Sequence, residues 1–209
     1  GASSGFGSHF AGVIAAAGAK VSLGARRVDK IQARVDEINA TGQQAAGFVL
    51  DVTDKESAEG FLDAAEAKWG PVDVLINNAG VEAGAKTYAM IDEDDWDYVF
   101  DTNLKSVWRL SKMFTLRVGS EKARQGSIVN IASITAFRTI KGQFPYAVSK
   151  AALIKATEIM ALEGSKFGVR VNAMAPGYVL TDVSRVLLES ERSESFVKGI
   201  PMRRYGEFE

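Results

Sequence analysis

Five short stretches are apolar almost without interruption: Lys20–Ala25 (KVSLGA), Gly47–Val52 (GFVLDV), Val72–Gly80 (VDVLINNAG), Ser127–Ser133 (SIVNIAS) and Val169–Pro176 (VRVNAMAP). A strand with one solvated face alternates apolar and polar positions, whereas a parallel strand covered on both faces does not. These runs are therefore predicted to be buried parallel strands. The stretches between them carry helical spacing instead. Val28–Ala40 puts Ile31, Val35 and Ile38 on one face, and Ala58–Trp69 does the same with Phe61, Leu62, Ala65 and Trp69. Gly7–Ala19, Asp95–Val118 and Tyr146–Phe167 are predicted helices as well. After Pro176 the strand rhythm is lost, and SRVLLESERSESF is expected to form one or two helices in an excursion.

Strand and helix alternating at this pitch imply βαβ units with right-handed crossovers. The expected fold is a single α/β domain over residues 1–209, built on a doubly wound parallel sheet. Ligands of such sheets bind at the carboxyl ends of the strands, so the residues just after each apolar run carry the functional interest.

Composition narrows the chemistry. The 209 residues are 46% hydrophobic and 24% charged, with a net charge of −1. Near-neutrality gives no electrostatic case for nucleic acid or an anionic membrane surface. With no cysteine and His9 as the only histidine, thiolate metal sites, disulfides and a Ser-His-Asp triad are set aside. No apolar run approaches the ~20 residues of a membrane span. A soluble, cytoplasmic protein is expected.

Chemistry-bearing residues fall where the fold would gather them. GASSGFG places Gly1, Gly5 and Gly7 ahead of a helix, where small residues let backbone approach a pyrophosphate at the helix N-terminus. Asp51 and Val52 close one strand, where an acid and an amide suit an adenine edge. Asn77–Gly80 (NNAG) closes the next, Ser133 closes the fourth, and Pro176–Thr181 (PGYVLT) follows the fifth. In FPYAVSK, Tyr146 lies one helical turn before Lys150. A phenol titrates near 10 and is a poor base at neutrality, and an adjacent ammonium favours phenolate. That pairing fits a proton-transfer role, with Ser133 stabilising charge on a substrate oxygen.

Taken in order, Gly1-Gly5-Gly7, Asp51, NNAG, Asn103 in TNL, Ser133, Tyr146-x-x-x-Lys150 and Pro176-Gly177 with Thr181 resemble the short-chain dehydrogenase/reductase family, in its compact single-domain branch. The resemblance implies a Rossmann-type fold and hydride transfer between a nicotinamide and a carbonyl or secondary alcohol. It implies Tyr146 as general acid/base and Ser133 as the substrate-oxygen partner. Lys150 would tune Tyr146 and hold the nicotinamide ribose, and Asn103 would support a proton-relay water. The cofactor-binding set it implies is Gly1, Ser3, Ser4, Gly5, Phe6, Gly7, Arg26, Asp51, Val52, Asn78, Ala79, Gly80, Tyr146, Lys150, Pro176, Gly177, Val179 and Thr181. Residues 178–205 would form a substrate lid. 3-Oxoacyl-carrier-protein reductases and sugar-acid or polyol dehydrogenases share these motifs, so the substrate stays open among small carbonyls and alcohols.

The run LGARR puts Ala25 where an NAD reader would carry an acid, and Arg26 and Arg27 follow. A forked, fixed charge suits a 2′-phosphate, so NADP(H) is expected over NAD(H). The family also has a strand leading into the glycine loop and a strand and helix after the present end. Both are lacking, so the chain is expected to be partial, without first and last strands. Homo-oligomers, tetramer before dimer, would form through the Asn103–Val118 and Tyr146–Phe167 helices. Rival readings are a nucleotide-sugar epimerase and a catalytically silent nicotinamide-binding sensor or scaffold.

Overall fold

The computed structural model describes residues 1–121, 123–181 and 193–208. Strands β1 (Lys20–Ala25), β2 (Gln44–Val49), β3 (Val74–Asn77), β4 (Gly126–Ile131) and β5 (Val169–Met174) alternate with helices α1 (Gly5–Ala16), α2 (Val28–Ala40), α3 (Lys55–Trp69), α4 (Glu93–Phe100), α5 (Ser106–Ser120) and α6 (Phe144–Gly164). All pairings are parallel. β1 and α2 have the bounds the pattern predicts. β2 starts three residues earlier than expected and ends at Val49. Gln44, Ala45 and Ala46 lack the bulk that marks a strand, yet they pair with Lys20, Val21 and Ser22.

Local chemistry sets the helix limits. Asp54 and Asp92 cap α3 and α4, their carboxylates accepting from Ser57 N at 2.6 Å and Asp95 N at 2.7 Å. Pro145 sits in the first turn of α6, where its missing N–H costs nothing. The helix expected over Asp95–Val118 is divided. Residues Asp101–Lys105 form a π-helical turn between α4 and α5, and Ser106 N there reaches back to Asp101 O. Such a turn displaces one residue from the regular ladder, and here the displaced stretch contains Asn103.

The expected parallel α/β architecture is found, with its strands in two groups. β1 pairs with β2, and β4 lies between β3 and β5, but β1 and β3 do not pair. Between them runs a slot of about 850 Å³, walled by Leu23, Phe61, Leu75, Ile76, Val107 and Val129. It lies where the family resemblance implies a central strand leading into Gly1. Two links cross it. Helix α3 packs Ala58 and Leu62 into one core with Leu75, Leu110, Phe114 and Ile128. At the carboxyl ends, Gly1 N and Ala2 N both donate to Gly24 O, at 2.9 and 3.2 Å, while Asn78 Nδ2 donates to Gly1 O at 2.8 Å. A second core, with Leu23, Ile31, Val35 and Ile38, lies under β1 and β2.

Beneath the site, a buried polar chain fixes the three-stranded sheet to its helices. Asn77 Nδ2 donates to Asn130 Oδ1 at 2.9 Å and to Ser111 Oγ at 3.1 Å. Asn130 Nδ2 passes on to Thr157 Oγ1 at 2.9 Å. The expected excursion over SRVLLESERSESF lies mostly outside the described residues, which resume with a short helix, Ser193–Gly199.

Candidate active site

The carboxyl ends of the strands enclose a cavity of about 690 Å³. Of the residues expected to bind cofactor or act in catalysis, all but Gly7 and Asn103 line it. Those two stand behind the wall and shape it.

Gly7 lets α1 start against the loop. A Cβ there would lie 2.6 Å from Asn78 Nδ2 and would strike the carbonyl oxygen of Gly1. Gly5 takes a positive φ of 55°, which a side chain disfavours. Arg27, which also lines the cavity, stiffens this loop, its guanidinium donating to Ser3 Oγ at 2.7 Å and Ser4 Oγ at 3.3 Å. Arg26 makes no salt bridge among the described residues and lines the cavity beside it. The two arginines that read alike in sequence thus differ, one braced against the loop and the other facing open space. Asp51 accepts from the hydroxyl of Thr53 at 2.7 Å and from its amide at 3.0 Å. Those bonds hold its carboxyl below the usual range.

Asn77 and Asn78 divide similarly. Asn77 is buried in the polar chain below, and Asn78 is the residue that reaches the loop. Asn103 is completely buried. Its Oδ1 accepts from Val81 N at 2.8 Å, and its Nδ2 donates to Val81 O at 3.0 Å and to Ser149 Oγ at 3.1 Å. Its side chain is fully occupied in clamping the loop after NNAG to α6.

Ser133, Tyr146 and Lys150 come together at the inner end. Ser133 caps the turn that follows β4, its oxygen accepting from Thr135 N at 3.2 Å and Thr135 Oγ1 at 2.9 Å. Both bonds are accepted, so its own proton remains to be donated. Lys150 is 3% exposed and donates to Ile131 O at 2.7 Å. Burial lowers its pKa to about 8, with Glu82 opposing. Lys150 Nζ stands 5.7 Å from the centre of the Tyr146 ring. The expected lowering of the Tyr146 pKa by Lys150 is not found. Burial raises it, hydrogen bonding to Ser133 opposes, and Glu82 adds to the rise. A phenol shielded from water and facing a carboxylate keeps its proton.

The family profile described as short chain dehydrogenase matches residues 1–192. The chain belongs to that family. The 3-oxoacyl-[acyl-carrier-protein] reductase FabG of Escherichia coli (strain K12) is 38% identical over 206 residues, covering 99% of this chain and 82% of the relative. FabG of Thermotoga maritima is 35% identical with the same coverage. Among solved structures, a variant of actinorhodin polyketide ketoreductase with NADPH superposes with a TM-score of 0.90 at 30% identity, covering 99% of this chain and 83% of that one. A short-chain type dehydrogenase/reductase from Mycobacterium marinum reaches 0.92 at 29% identity, covering 99% and 81%. The Rossmann-type fold read from the motifs is thus found, and an NAD(P)-dependent oxidoreductase follows from membership.

Sequence reading missed the Arg27 brace and several cavity-lining polar residues, among them Glu82, Gln143, Tyr98 and Thr102. A lone Glu in a loop carries no pattern; Gln143 could have been flagged only by its place three residues before Tyr146. Phe137, Arg138, Phe144 and Leu180, which flank the pocket in sequence, do not line it. Arg138 is exposed, and Phe144 packs against Tyr88 and Trp96 instead. Among the described residues no cluster of potential metal ligands occurs, and no helix is long and apolar enough to cross a membrane.

The buried ammonium is directly measurable. With lysines labelled at Cε, the Lys150 NMR signal should titrate near pH 8, while solvated lysines titrate near ~10.4. A Lys150 signal moving with the others would remove the desolvated site described above.

Proposed function

We propose that the chain reduces a carbonyl on a small molecule with NADPH, Tyr146 acting as the general acid. The observation that carries this reading is one cavity lined by Ser133, Tyr146 and Lys150 at one end and by the glycine loop and Arg26 at the other. The cavity suits a dinucleotide. Gly1 and Gly5 line it without side chains, Asn78, Ala79 and Gly80 line the middle, and the unpaired Arg26 guanidinium suits a 2′-phosphate. NADP(H) is favoured, in keeping with the NADPH-bound ketoreductase relative.

Bound nicotinamide supplies the hydride. As alkoxide charge grows on the substrate oxygen, Ser133 donates a hydrogen bond to it and Tyr146 gives up its proton there. A phenol held protonated is the form that reduction needs. Lys150, anchored on Ile131 O, places positive charge beside the phenolate that remains and presents its ammonium to the nicotinamide ribose. The Asn103 side chain is committed to Val81 and Ser149, so a relay water at this point would use a backbone carbonyl of the π-helical turn. Residues 178–205 act as a lid in this reading. The described part of that lid is tied down where Gly206 N donates to Tyr178 O at 2.8 Å.

Apolar residues on the outer faces of α5 and α6 support self-association. Trp108, Leu116, Ile159 and Leu162 are each about half exposed or more. Two copies meeting through these helices would bury that surface, the route expected for a homo-oligomer.

Three measurements test the reading. Tyr146→Phe should lower NADPH-dependent kcat by about 10²–10⁴-fold, the usual reach of a general acid, with NADPH still bound; undiminished turnover would sink the mechanism. Arg26→Asp should weaken NADPH far more than NADH in a fluorescence titration, and equal losses would remove its role as phosphate reader. Light scattering should find an oligomer that Leu162→Glu reduces to a smaller species. A monomer before substitution would contradict the helical interface.

A further inference from the structure

Two polar side chains at the inner end of the cavity have no part in the chemistry above. Glu82 follows the segment that Asn103 clamps through both backbone groups of Val81, so its position is set by a fully buried residue. Its carboxylate lines the cavity with Ser133, Tyr146 and Lys150, and makes no hydrogen bond or salt bridge among the described residues. Burial raises its pKa and the nearby Lys150 ammonium opposes that rise, while its own charge opposes ionisation of Tyr146. Gln143 lies three residues before Tyr146 and is 9% exposed; its amide oxygen is buried without a partner.

An unpaired polar group in a closed wall costs about 1–3 kcal/mol, which a ligand able to pair with it recovers. Gln143 Oε1 is such a group, and the part-buried Glu82 carboxylate is a second acceptor lining the same cavity. A substrate bearing only acceptors, such as a 3-oxoacyl thioester, brings nothing to them. An anionic substrate would meet the Glu82 charge, and a cationic one the Lys150 ammonium. Arg138 is outside the wall and Lys86 is paired with Asp95, so no further described cation offsets Glu82. Hydroxyl groups are neutral donors and satisfy both acceptors.

We propose that Glu82, with Gln143 as a second anchor, selects a neutral polyhydroxylated substrate, a hydroxyketone or the corresponding polyol. Hydroxyls beside the reacting carbon donate to these acceptors while Ser133 and Tyr146 hold the reacting oxygen. This rests on the carbonyl–alcohol reading above and names its substrate class. A site built to pair a hydroxyl discriminates strongly against analogues lacking one, because its own polar groups are then stranded.

The test compares wild type with Glu82→Leu and the conservative Glu82→Gln, with circular dichroism to confirm folding. NADPH-dependent kcat/KM is measured on dihydroxyacetone and on ethyl acetoacetate, which has no hydroxyl. The ratio of the two should fall at least tenfold in Glu82→Leu, chiefly through KM for dihydroxyacetone, with Glu82→Gln intermediate. An unchanged ratio, whatever the absolute losses, overturns the proposal by showing that Glu82 acts on Tyr146 or Lys150 alone. Xylitol binding is measured separately by calorimetry, with NADP⁺ present and absent. Saturable binding to wild type, weakened at least tenfold in Glu82→Leu, supports the proposal even where turnover is missing, in which case the reductase reading alone fails. Wild type that does not bind xylitol, or variants that bind it equally well, overturn the proposal.

Discussion

A buried ammonium is the constraint from which the site follows. Lys150 is almost wholly withdrawn from water, and an ionised amine in that position is tolerable only with partners close at hand. One partner is the carbonyl of Ile131, which fixes where α6 must sit against the end of β4. Once that contact is made, Tyr146 is delivered one turn earlier beside Ser133. Asn103 and Ser149 then lock the neighbouring loop to the same helix. Ser133, Tyr146 and Lys150 are thus held by the means that keep a charge buried, and burial outweighs the opposing Glu82 in lowering the Lys150 pKa.

Rigidity there comes from side-chain hydrogen bonds that join two strands to the helices packed on them. The chain Ser111–Asn77–Asn130–Thr157 stitches α5, β3, β4 and α6 together below the cavity floor. Hydrogen bonds between buried amides are directional where apolar packing is not, and here they set the strand ends against the helices. Asn77, outside the expected cofactor-binding set, works in this frame, and its neighbour Asn78 reaches the loop.

What was legible in the sequence is whatever periodicity or an ordered motif could express. Continuous apolar runs marked all five strands, and the helical face of α2 gave its limits to the residue. β2 slipped by three positions because glutamine and two alanines advertise no structure until a neighbour pairs with them. The π-helical turn left no trace, since Asp-Thr-Asn-Leu-Lys reads as ordinary helix. Within the site, the convergence of Ser133, Tyr146 and Lys150 could be read from their order. The direction of the Tyr146 shift could not, because it depends on burial and on Glu82, a residue that belongs to no pattern. The separate parts of Arg26 and Arg27 likewise depend on which guanidinium meets the loop hydroxyls of Ser3 and Ser4.

The length of the cavity has a thermodynamic corollary. Arg26 and Asp51 lie towards one end of it, and Ser133, Tyr146 and Lys150 at the other, with the glycine loop and Asn78 between them. A dinucleotide filling it would touch the ends of several strands at once. Ligand affinity and fold stability are then linked, stability rising with free ligand as RT ln(1 + [L]/Kd). Cofactor bound across these strand ends is a stabiliser of the fold as well as a reactant.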